Sequence, residues 1–476
     1  MRLRRKRTGA PAGGEVAADD LLIDAPGPAI KRMAIPACIG FVLSMSFNAV
    51  DAVYASHYST DGIASFSTAV PFYFAVLALG TGFGRATTAL AGARLGAGEP
   101  DGAARTIFAA CWVGAAAAGA VGAVAFIVAE PALGWLGGGA TPHSDAVTYA
   151  RTISLGAPAV IVPMCIAGGL IAQGDTLALR NVHALALALN VGLNPLAMYG
   201  VGPLPRLGVG GLAVTTVTIQ IVAGVFLLRR LLRSQLGTHL RRMRRTVERS
   251  VASQVVTQGL PGVADQMAVA AGIAIITRSL AGIGPEAVSA YGLGSRIEQL
   301  VIVVGFGFNM GSMVLIGIAF GARDSGRVKQ VIAWSSRTVL SLSVGLAAVV
   351  WVAATPLAGV LAPDPDLAEA TATLLRLIVL GFPAHALGSL LSSSLVGLQR
   401  PSTALGLSAI RLVLAPAVAL TAVRVAGGGF DASIAALAVS GVIPVAIAWR
   451  VVRSAVRDVS DPPDVLVPVA TGGVPA

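Results

Sequence analysis

The chain has 476 residues, of which 55% are hydrophobic and only 12% are charged. A soluble domain carries about a quarter charged residues, so this composition excludes an ordinary water-soluble fold. The net charge of +11 could indicate a nucleic-acid partner, but the basic residues follow a membrane topology instead. We therefore predict no nucleic-acid partner.

Apolar segments of eighteen or more residues recur from Met33 to Ala448. Each is long enough to cross roughly 30 Å of hydrocarbon as a helix, and a helix satisfies its own backbone polar groups in lipid. The predicted spans are residues 33–55, 66–90, 106–130, 150–172, 180–200, 209–229, 254–278, 290–318, 331–356, 370–393, 403–424 and 432–450.

The 34 Lys and Arg residues lie mostly on one side of these spans, in both terminal segments and in alternate loops. The longest basic segment, from Arg229 to Arg249, joins the sixth and seventh spans. Positively charged loops remain in the cytoplasm, so we predict a multi-pass inner-membrane protein with both termini cytoplasmic. The Arg-rich start is not followed by a short apolar region, so we predict no cleavable signal peptide.

Several marked residues recur at an offset of 225 positions, which indicates an internal duplication. Pairs at this offset are Pro36 and Pro261, Gly96 and Gly321, Arg151 and Arg376, Gly156 and Gly381, and Pro158 and Pro383. Six spans per copy predict an all-α membrane protein with twelve transmembrane helices in two six-helix bundles, related by a pseudo-twofold axis along the membrane normal. Duplicated transporters of this kind place the substrate between the halves and work by alternating access.

The duplication and the composition together define the domain boundaries. We predict a disordered cytoplasmic tail at 1–30, an N-terminal lobe at 31–230, a basic linker at 231–252, a C-terminal lobe at 253–457 and a disordered tail at 458–476.

Five motifs in this order resemble the multidrug and toxic compound extrusion (MATE) family, in particular its DinF-like branch. The motifs are FNAVD at 47–51, GDT at 174–176 followed by Asn190, Asn194 and Pro195, GVGGLAVTTVTIQ at 208–220, YGLGSRIEQL at 291–300 with Gly321 and Ala322 after it, and the segment 397–411. The resemblance covers roughly residues 30–450.

Asp51 is the first candidate for function because a charge inside a membrane span is costly and marks a functional site by default. Asn48 at i−3 shares its helix face, as does Ser44 at i−7. A carboxylate in such a polar stripe can bind and release a proton. The resemblance implies the same, since MATE relatives use an acid at this position in cation coupling. The alternative is an interfacial Asp exposed to water.

Amide and hydroxyl side chains on the fifth and sixth spans are candidates for partners of Asp51. Asn190 and Asn194 are spaced i, i+4, and Thr215 and Thr216 follow on the next span. They could hydrogen-bond Asp51 or simply hold the helices together. Some DinF-like relatives carry an acid where Asn194 stands, so its absence argues against a sodium site built on a second carboxylate. We name Asp51, Asn48, Asn190, Asn194 and Thr216 as the cation-coupling set.

A weaker set of candidates for substrate or cation binding comprises Asp265, Gln266, Glu298 and Phe74. The alternatives for Asp265 are a cytoplasmic gate or a snorkelling Asp, and the alternative for Glu298 is a local charge cluster with Arg296. We assign structural roles to the other charged or titratable residues within the spans. Arg85 and Arg337 are expected to snorkel to the cytoplasmic face. Arg411 is interpreted as structural and His385 as a packed polar residue.

The sequence thus predicts a secondary active multidrug antiporter that exports hydrophobic or cationic compounds in exchange for protons, with sodium as the other possible ion. No nucleotide-binding loop and no metal-ligand or catalytic set is recognisable, so we predict no enzyme, no cofactor and no metal. The expected partners are small molecules, protons or sodium ions and the lipid bilayer, around a monomer. The alternatives are a flippase for lipid-linked precursors or other lipids and a non-transporting membrane scaffold.

Overall fold

A computed structural model describes residues 24–58, 62–136, 144–200, 205–243, 246–282, 284–361 and 364–460. Within these ranges the regular structure is helical throughout, and the side chains of several residues in the 285–304 segment are not described. Two lobes of helices follow each other along the chain.

The N-terminal lobe contains seven described helices before the linker. They are α1 (Pro26–Tyr58), α2 (Gly62–Gly96), α3 (Pro100–Leu136), α4 (Ser144–Leu155), α5 (Ala157–Ala172), α6 (Leu177–Tyr199) and α7 (Gly210–Arg233). α4 and α5 form one span that bends by 46°. The bend occurs at Gly156, just before Pro158, a residue that interrupts helical hydrogen bonding.

The linker carries the short helix α8 (Gly237–Arg242), and the C-terminal lobe repeats the pattern of the first lobe. Its helices are α9 (Arg249–Ala281), α10 (Pro285–Gly321), α11 (Ser325–Leu361), α12 (Pro365–Ile378), α13 (Phe382–Gly397), α14 (Pro401–Ala409), α15 (Ala415–Val425), α16 (Phe430–Ser440) and α17 (Val442–Arg457). A 3-10 turn, Val379–Gly381, joins α12 to α13, and a π segment, Ile410–Leu414, joins α14 to α15.

The described helices account for all twelve predicted spans. Ten spans are long and apolar enough to cross a membrane, and the bent pair α4–α5 makes an eleventh. The twelfth lies in α10, whose described apolar portion is the shorter Gly305–Gly321. The chain is therefore an all-α, multi-pass membrane protein.

Both predicted disordered tails are too long at their inner ends. α1 begins at Pro26, because proline is favoured in the first turn of a helix, and Ala29 and Ile30 are fully buried. At the other end, Asp458–Ser460 forms a 3-10 turn in which Val459 is buried. The remaining tail residues, 1–23 and 461–476, lie outside the described residues.

The two lobes meet through glycines that the internal repeat pairs with each other. A Cβ atom at Gly96 would collide with the carbonyl oxygen of Ile318, and one at Gly321 would collide with that of Ala93. The two contacts are copies of each other, because Ala93 and Ile318 also differ by 225 positions. Gly82 and Gly307 repeat the pattern deeper in the lobes, against the backbone of Gly259 and Ala34 respectively. Such reciprocal contacts are what a pseudo-twofold axis between the lobes produces.

The helix connections that carry most of the basic residues lie on one side of the molecule, which we call the basic face. It contains the α2–α3, α5–α6, α7–α9, α10–α11 and α13–α14 connections. Gly96 and Gly321 end α2 and α10 at this face, so the lobes cross there.

Candidate cation-coupling site

Asp51 lies inside the N-terminal lobe, where α1 packs against α6. Its side chain is only 2% exposed, and its Oδ1 accepts hydrogen bonds from the Nδ2 atoms of Asn190 and Asn194, each 2.8 Å away. Both asparagines are fully buried. The i, i+4 spacing on α6 directs the two amides to the same side of the helix, so they converge on one carboxylate oxygen.

A second layer of hydrogen bonds orients one of these amides. Thr215 on α7 donates from Oγ1 to Oδ1 of Asn194 at 2.6 Å. This bond fixes which end of the Asn194 amide faces Asp51, so the NH2 group must point at the carboxylate. The two bonds from the asparagine amides to the Asp51 carboxylate are charge-assisted, and such bonds are stronger than neutral ones.

The structure brings together three of the five residues named for cation coupling. Asn48 instead donates from Nδ2 to the carbonyl oxygen of Ser44, 3.2 Å away on its own helix. Thr216 is buried but its Oγ1 has no hydrogen-bond partner among the described residues. Thr215, its neighbour in the sequence, makes the contact expected of Thr216, because its position on α7 faces α6.

Two tyrosines complete the surroundings of Asp51 and were not predicted. Tyr73 on α2 and Tyr149 on α4 are buried and lie close enough to the carboxylate to interact with its charge. Tyr149 also makes an edge-on ring contact with Phe66, with centroids 5.7 Å apart. No Lys or Arg in the described part of the chain forms an ion pair with Asp51, so amides and burial set its environment.

Asp265, the first candidate of the weaker set, forms an ion pair between the lobes. Its Oδ2 lies 3.1 Å from Nη1 of Arg85 on α2, and the two side chains are 19% and 29% exposed. Arg85 therefore does not snorkel to the membrane surface as predicted. A partner on α9 neutralises it within the molecule, because the pseudo-twofold packing brings α2 and α9 together.

Two other candidates of the weaker set form no hydrogen bond with this pair among the described residues. Gln266 is half-buried on α9, and Phe74 is 51% exposed on α2. Glu298 falls within α10, but its side chain lies outside the described residues. Their proposed roles stay predictions.

A set of polar contacts near the basic face also joins the lobes. Nη2 of Arg94 donates to Oε1 of Gln254 at 2.9 Å, and Nε2 of Gln399 donates to the carbonyl oxygen of Ala89 at 2.8 Å. Within the C-terminal lobe, the backbone oxygen of Gln399 accepts from Nε2 of Gln258 at 3.3 Å, which ties this turn to α9. With Arg85 and Asp265, these contacts form what we call the inter-lobe latch.

Gln399 has an unusual backbone for a residue with a side chain. Its φ is 61°, a left-handed conformation that costs roughly 1–2 kcal/mol for a non-glycine residue. The repeat partner of Gln399 is Gly174, with φ 81°. The second copy thus keeps the turn of the first but replaces glycine with a side chain that reaches across to the other lobe.

Asp175 of the GDT motif has a structural contact set. Its carboxylate accepts from Nη2 of Arg230 at 2.9 Å and from the backbone N–H of Ala178 at 3.1 Å. The second contact caps the start of α6. The motif therefore positions the helix that carries Asn190 and Asn194.

The family model described as MatE matches this chain twice, at residues 36–196 and 261–421. The two matches differ by the same 225 positions as the repeat read from the sequence, and they cover more than half of the chain. The chain belongs to the MatE family. The predicted family and fold class are thereby confirmed.

Relatives and solved structures agree with this membership. The chain is 25% identical over 399 residues to a protein of Shewanella oneidensis named FAD transporter, covering 83% of this chain and 87% of the relative. It is 24% identical over 298 residues to the multidrug resistance protein PmpM of Pseudomonas aeruginosa, covering 62% of each. A mutant of the Vibrio cholerae MATE transporter VcmN superposes with a TM-score of 0.84 at 21% identity, over 93% of this chain and 98% of that one. The fold is therefore that of MATE transporters.

Proposed function

We propose that the chain is a secondary active antiporter that exports small molecules in exchange for protons, with Asp51 as the proton-binding group. The observation that carries this proposal is the buried carboxylate of Asp51, held by two amides and without a basic partner among the described residues. A carboxylate paired with Arg would keep its charge throughout a transport cycle. A carboxylate held by neutral donors can gain and lose a proton while the donors stay in place.

The contacts between the lobes support a state that is closed at the basic face. The described inter-lobe contacts of α1 extend as far as Phe41, whose ring stacks on Phe306 with centroids 4.4 Å apart. Asp51 lies ten residues further along α1, about 15 Å at the helical rise per residue. In this state Asp51 would exchange protons with the side opposite the basic face.

We place the basic face in the cytoplasm, because the distribution of Lys and Arg follows the positive-inside rule. The structure would then be outward-facing, in the inner membrane, with both termini in the cytoplasm. Protonation of Asp51 from outside would weaken the hydrogen bonds that it accepts from the two amides and would favour the inward-facing state. A cation can drive this exchange only by binding the two states with different affinity.

Purified protein in liposomes provides the test. We expect a pH gradient to drive ethidium transport by the native protein. Asp51→Asn should transport no more ethidium than protein-free liposomes, because asparagine cannot bind and release a proton. Asp366→Asn is the matched control, since it removes an exposed carboxylate at the start of α12. Proton-driven transport that survives in Asp51→Asn would contradict the coupling role.

A sodium gradient applied at uniform pH separates the two coupling ions. With Asn194 in place of an acid, we expect sodium alone to drive no transport. Sodium-driven transport in the native protein would move the proposal from proton to sodium antiport.

Export of FAD is a second candidate function, favoured by the identity to the Shewanella oneidensis protein across most of both chains. FAD is anionic, whereas multidrug substrates of the kind predicted from the sequence are hydrophobic or cationic. Transport of FAD and of ethidium by the same liposomes would compare the two directly.

A further inference from the structure

Arg411 is a cation deep inside the C-terminal lobe that the coupling mechanism does not use. It lies in the π segment Ile410–Leu414, between α14 and α15. Short π segments within membrane or soluble helices are frequent at functional sites, because the extra residue redirects the side chains around it. Here it directs a guanidinium into the lobe.

The hydrogen bonding of Arg411 is incomplete among the described residues. Its Nη1 donates to the carbonyl oxygen of His385 at 2.7 Å, while its Nε is buried without a partner. The lobe leaves room for the side chain at Gly388, where a Cβ atom would approach Cδ of Arg411 to 2.8 Å. One face of the guanidinium is thus held in position while another donor is left unused.

The π segment of Arg411 packs against α9, and the carboxylate that α9 carries near its middle is already engaged elsewhere. Asp265 is close enough for its charge to act on Arg411, but its Oδ2 pairs with Arg85 from the other lobe at 3.1 Å. Arg411 therefore has no ion pair of its own among the described residues, although it lies within the membrane-spanning part of the protein. An unbalanced cation there is costly unless an anion joins it.

A narrow pocket between the lobes is lined in part by Arg85, Asp265 and Ala404. Ala404, Ser408 and Arg411 follow one face of the α14 segment at i, i+4 and i+7. Ser408 lies within 3.3 Å of Ser392, which also lines the pocket. These two buried hydroxyls connect the pocket lining with the helical turn before Arg411, whose side chain is only partly buried.

We propose that Arg411 and Arg85, together with Asp265 as the partner of Arg85, form a binding site for the anionic phosphate or carboxylate group of a transported substrate. Guanidinium groups bind such groups through paired, charge-assisted hydrogen bonds. The anion takes the unused donors and replaces Asp265 as the balancing charge. This assignment rests on the proposed transport function and names the substrate class for it.

The site also connects the substrate with the inter-lobe latch. Arg85 and Asp265 belong to different lobes, so an anion that binds Arg85 weakens a contact that holds the basic face closed. An anionic substrate would therefore favour separation of the lobes at this face.

Two fluorescent flavins that differ by one phosphate group test the site. Binding of flavin mononucleotide and of riboflavin to the purified protein is measured at equilibrium, without any gradient, and ethidium transport is measured in liposomes made from the same protein. We expect flavin mononucleotide to bind more tightly than riboflavin. In Arg411→Gln, its Kd should rise about ten- to a hundredfold, the range for hydrogen bonds to charged groups, with riboflavin unchanged.

Three further variants separate binding from folding. Arg411→Lys keeps the charge and should retain part of the preference for the phosphate. Asp265→Asn removes the competing carboxylate and should tighten flavin mononucleotide binding. Arg337→Gln removes an exposed cation of α11 in the same lobe and should leave the preference as it is.

The outcomes distinguish this site from the transport function itself. Equal binding of the two flavins, or a preference that Arg411→Gln leaves intact, would overturn the anion site even if ethidium is transported. Parallel loss of riboflavin, flavin mononucleotide and ethidium activity in Arg411→Gln, with no gain in Asp265→Asn, would assign Arg411 a structural role only. If the native protein transports ethidium and prefers flavin mononucleotide while Asp51→Asn transports nothing, both proposals stand together.

Discussion

The interiors of the two lobes share a scaffold but differ in charge. The N-terminal lobe holds a carboxylate, Asp51, among amides, whereas the C-terminal lobe holds a guanidinium, Arg411, beside His385. The repeat partner of Asp51 is Ile276 and that of Arg411 is Ala186. Meanwhile the glycines at the crossing of the lobes are kept in both copies.

This difference teaches which parts of a duplicated transporter are constrained by symmetry. Close backbone contacts at a pseudo-twofold axis must be satisfied by both copies at once, so Gly96 and Gly321 are equivalent. A buried charge has no such requirement, since each lobe surrounds its own interior. One lobe can therefore bind a proton while the other selects the substrate.

The largest expected effect separates these two roles. Asp51→Asn should lower proton-driven transport of every substrate to the level of protein-free liposomes, because asparagine cannot bind the proton that drives the exchange. Arg411→Gln should lower transport of anionic substrates alone. Initial rates for flavin mononucleotide and ethidium, measured side by side in liposomes, check this. Equal losses for both substrates in both variants would contradict the assignment of proton coupling to Asp51 and of substrate selection to Arg411.

The next largest effect concerns the contact that the lobes share. Gly96→Leu should reduce transport about tenfold or more, because overpacking typically costs 1–3 kcal/mol and here it opposes closure at the basic face. Spin labels at two exposed positions report the separation in a cysteine-free background: position 238 in the linker helix α8, which packs on the N-terminal lobe, and position 450 in the C-terminal lobe. The separation should increase in Gly96→Leu. Gly119→Leu is the control, since a Cβ at Gly119 meets no atom within 4 Å.

A smaller effect is expected within the N-terminal lobe. Asn190→Ala removes one of the two donors to Asp51 and should reduce proton-driven transport by several-fold, less than the full value of a hydrogen bond to a charged group, because Asn194 still donates to the same oxygen. Asn181→Ala, on the same helix but near the basic face, should retain native rates. A native rate in Asn190→Ala would show that its hydrogen bond does not support coupling.

The smallest effect compares the two copies of one turn. Gln399→Gly relieves a strained backbone of roughly 1–2 kcal/mol but loses the hydrogen bond to Ala89, worth about 1 kcal/mol, so its Tm should hardly change. Gly174→Gln introduces the strain without a new contact and should lower the Tm. Thermal unfolding followed by intrinsic fluorescence checks both. A large destabilisation in Gln399→Gly would mean that the latch contributes more than its hydrogen bonds suggest.

The sequence predicted the features that depend on local pattern and on repetition. Apolar length located the spans, and the offset between Pro36 and Pro261 anticipated both matches of the family model. Helical spacing also grouped Asn190 with Asn194, which the structure brings to Asp51. These features follow from one helix or from one copy compared with the other.

Contacts between helices were harder to predict, because they depend on rotation and on lobe packing. The sequence alone could not choose between the adjacent Thr215 and Thr216, since a small rotation of α7 decides which one faces Asn194. It also assigned Arg85 to the membrane surface, although α9 supplies Asp265 from the other lobe. The repeat could have indicated this pair, because it requires α2 and α9 to pack as α10 and α1 do.

Proton release on substrate binding tests the central claim most directly. Ethidium added to the purified protein in weakly buffered detergent should release up to one proton per molecule at a pH where Asp51 is partly protonated, and a pH-sensitive dye or electrode records it. The account predicts that Asp51→Asn binds ethidium without releasing a proton, while Asp366→Asn releases as much as the native protein. Undiminished release from Asp51→Asn would place the exchangeable proton on another group and contradict the account.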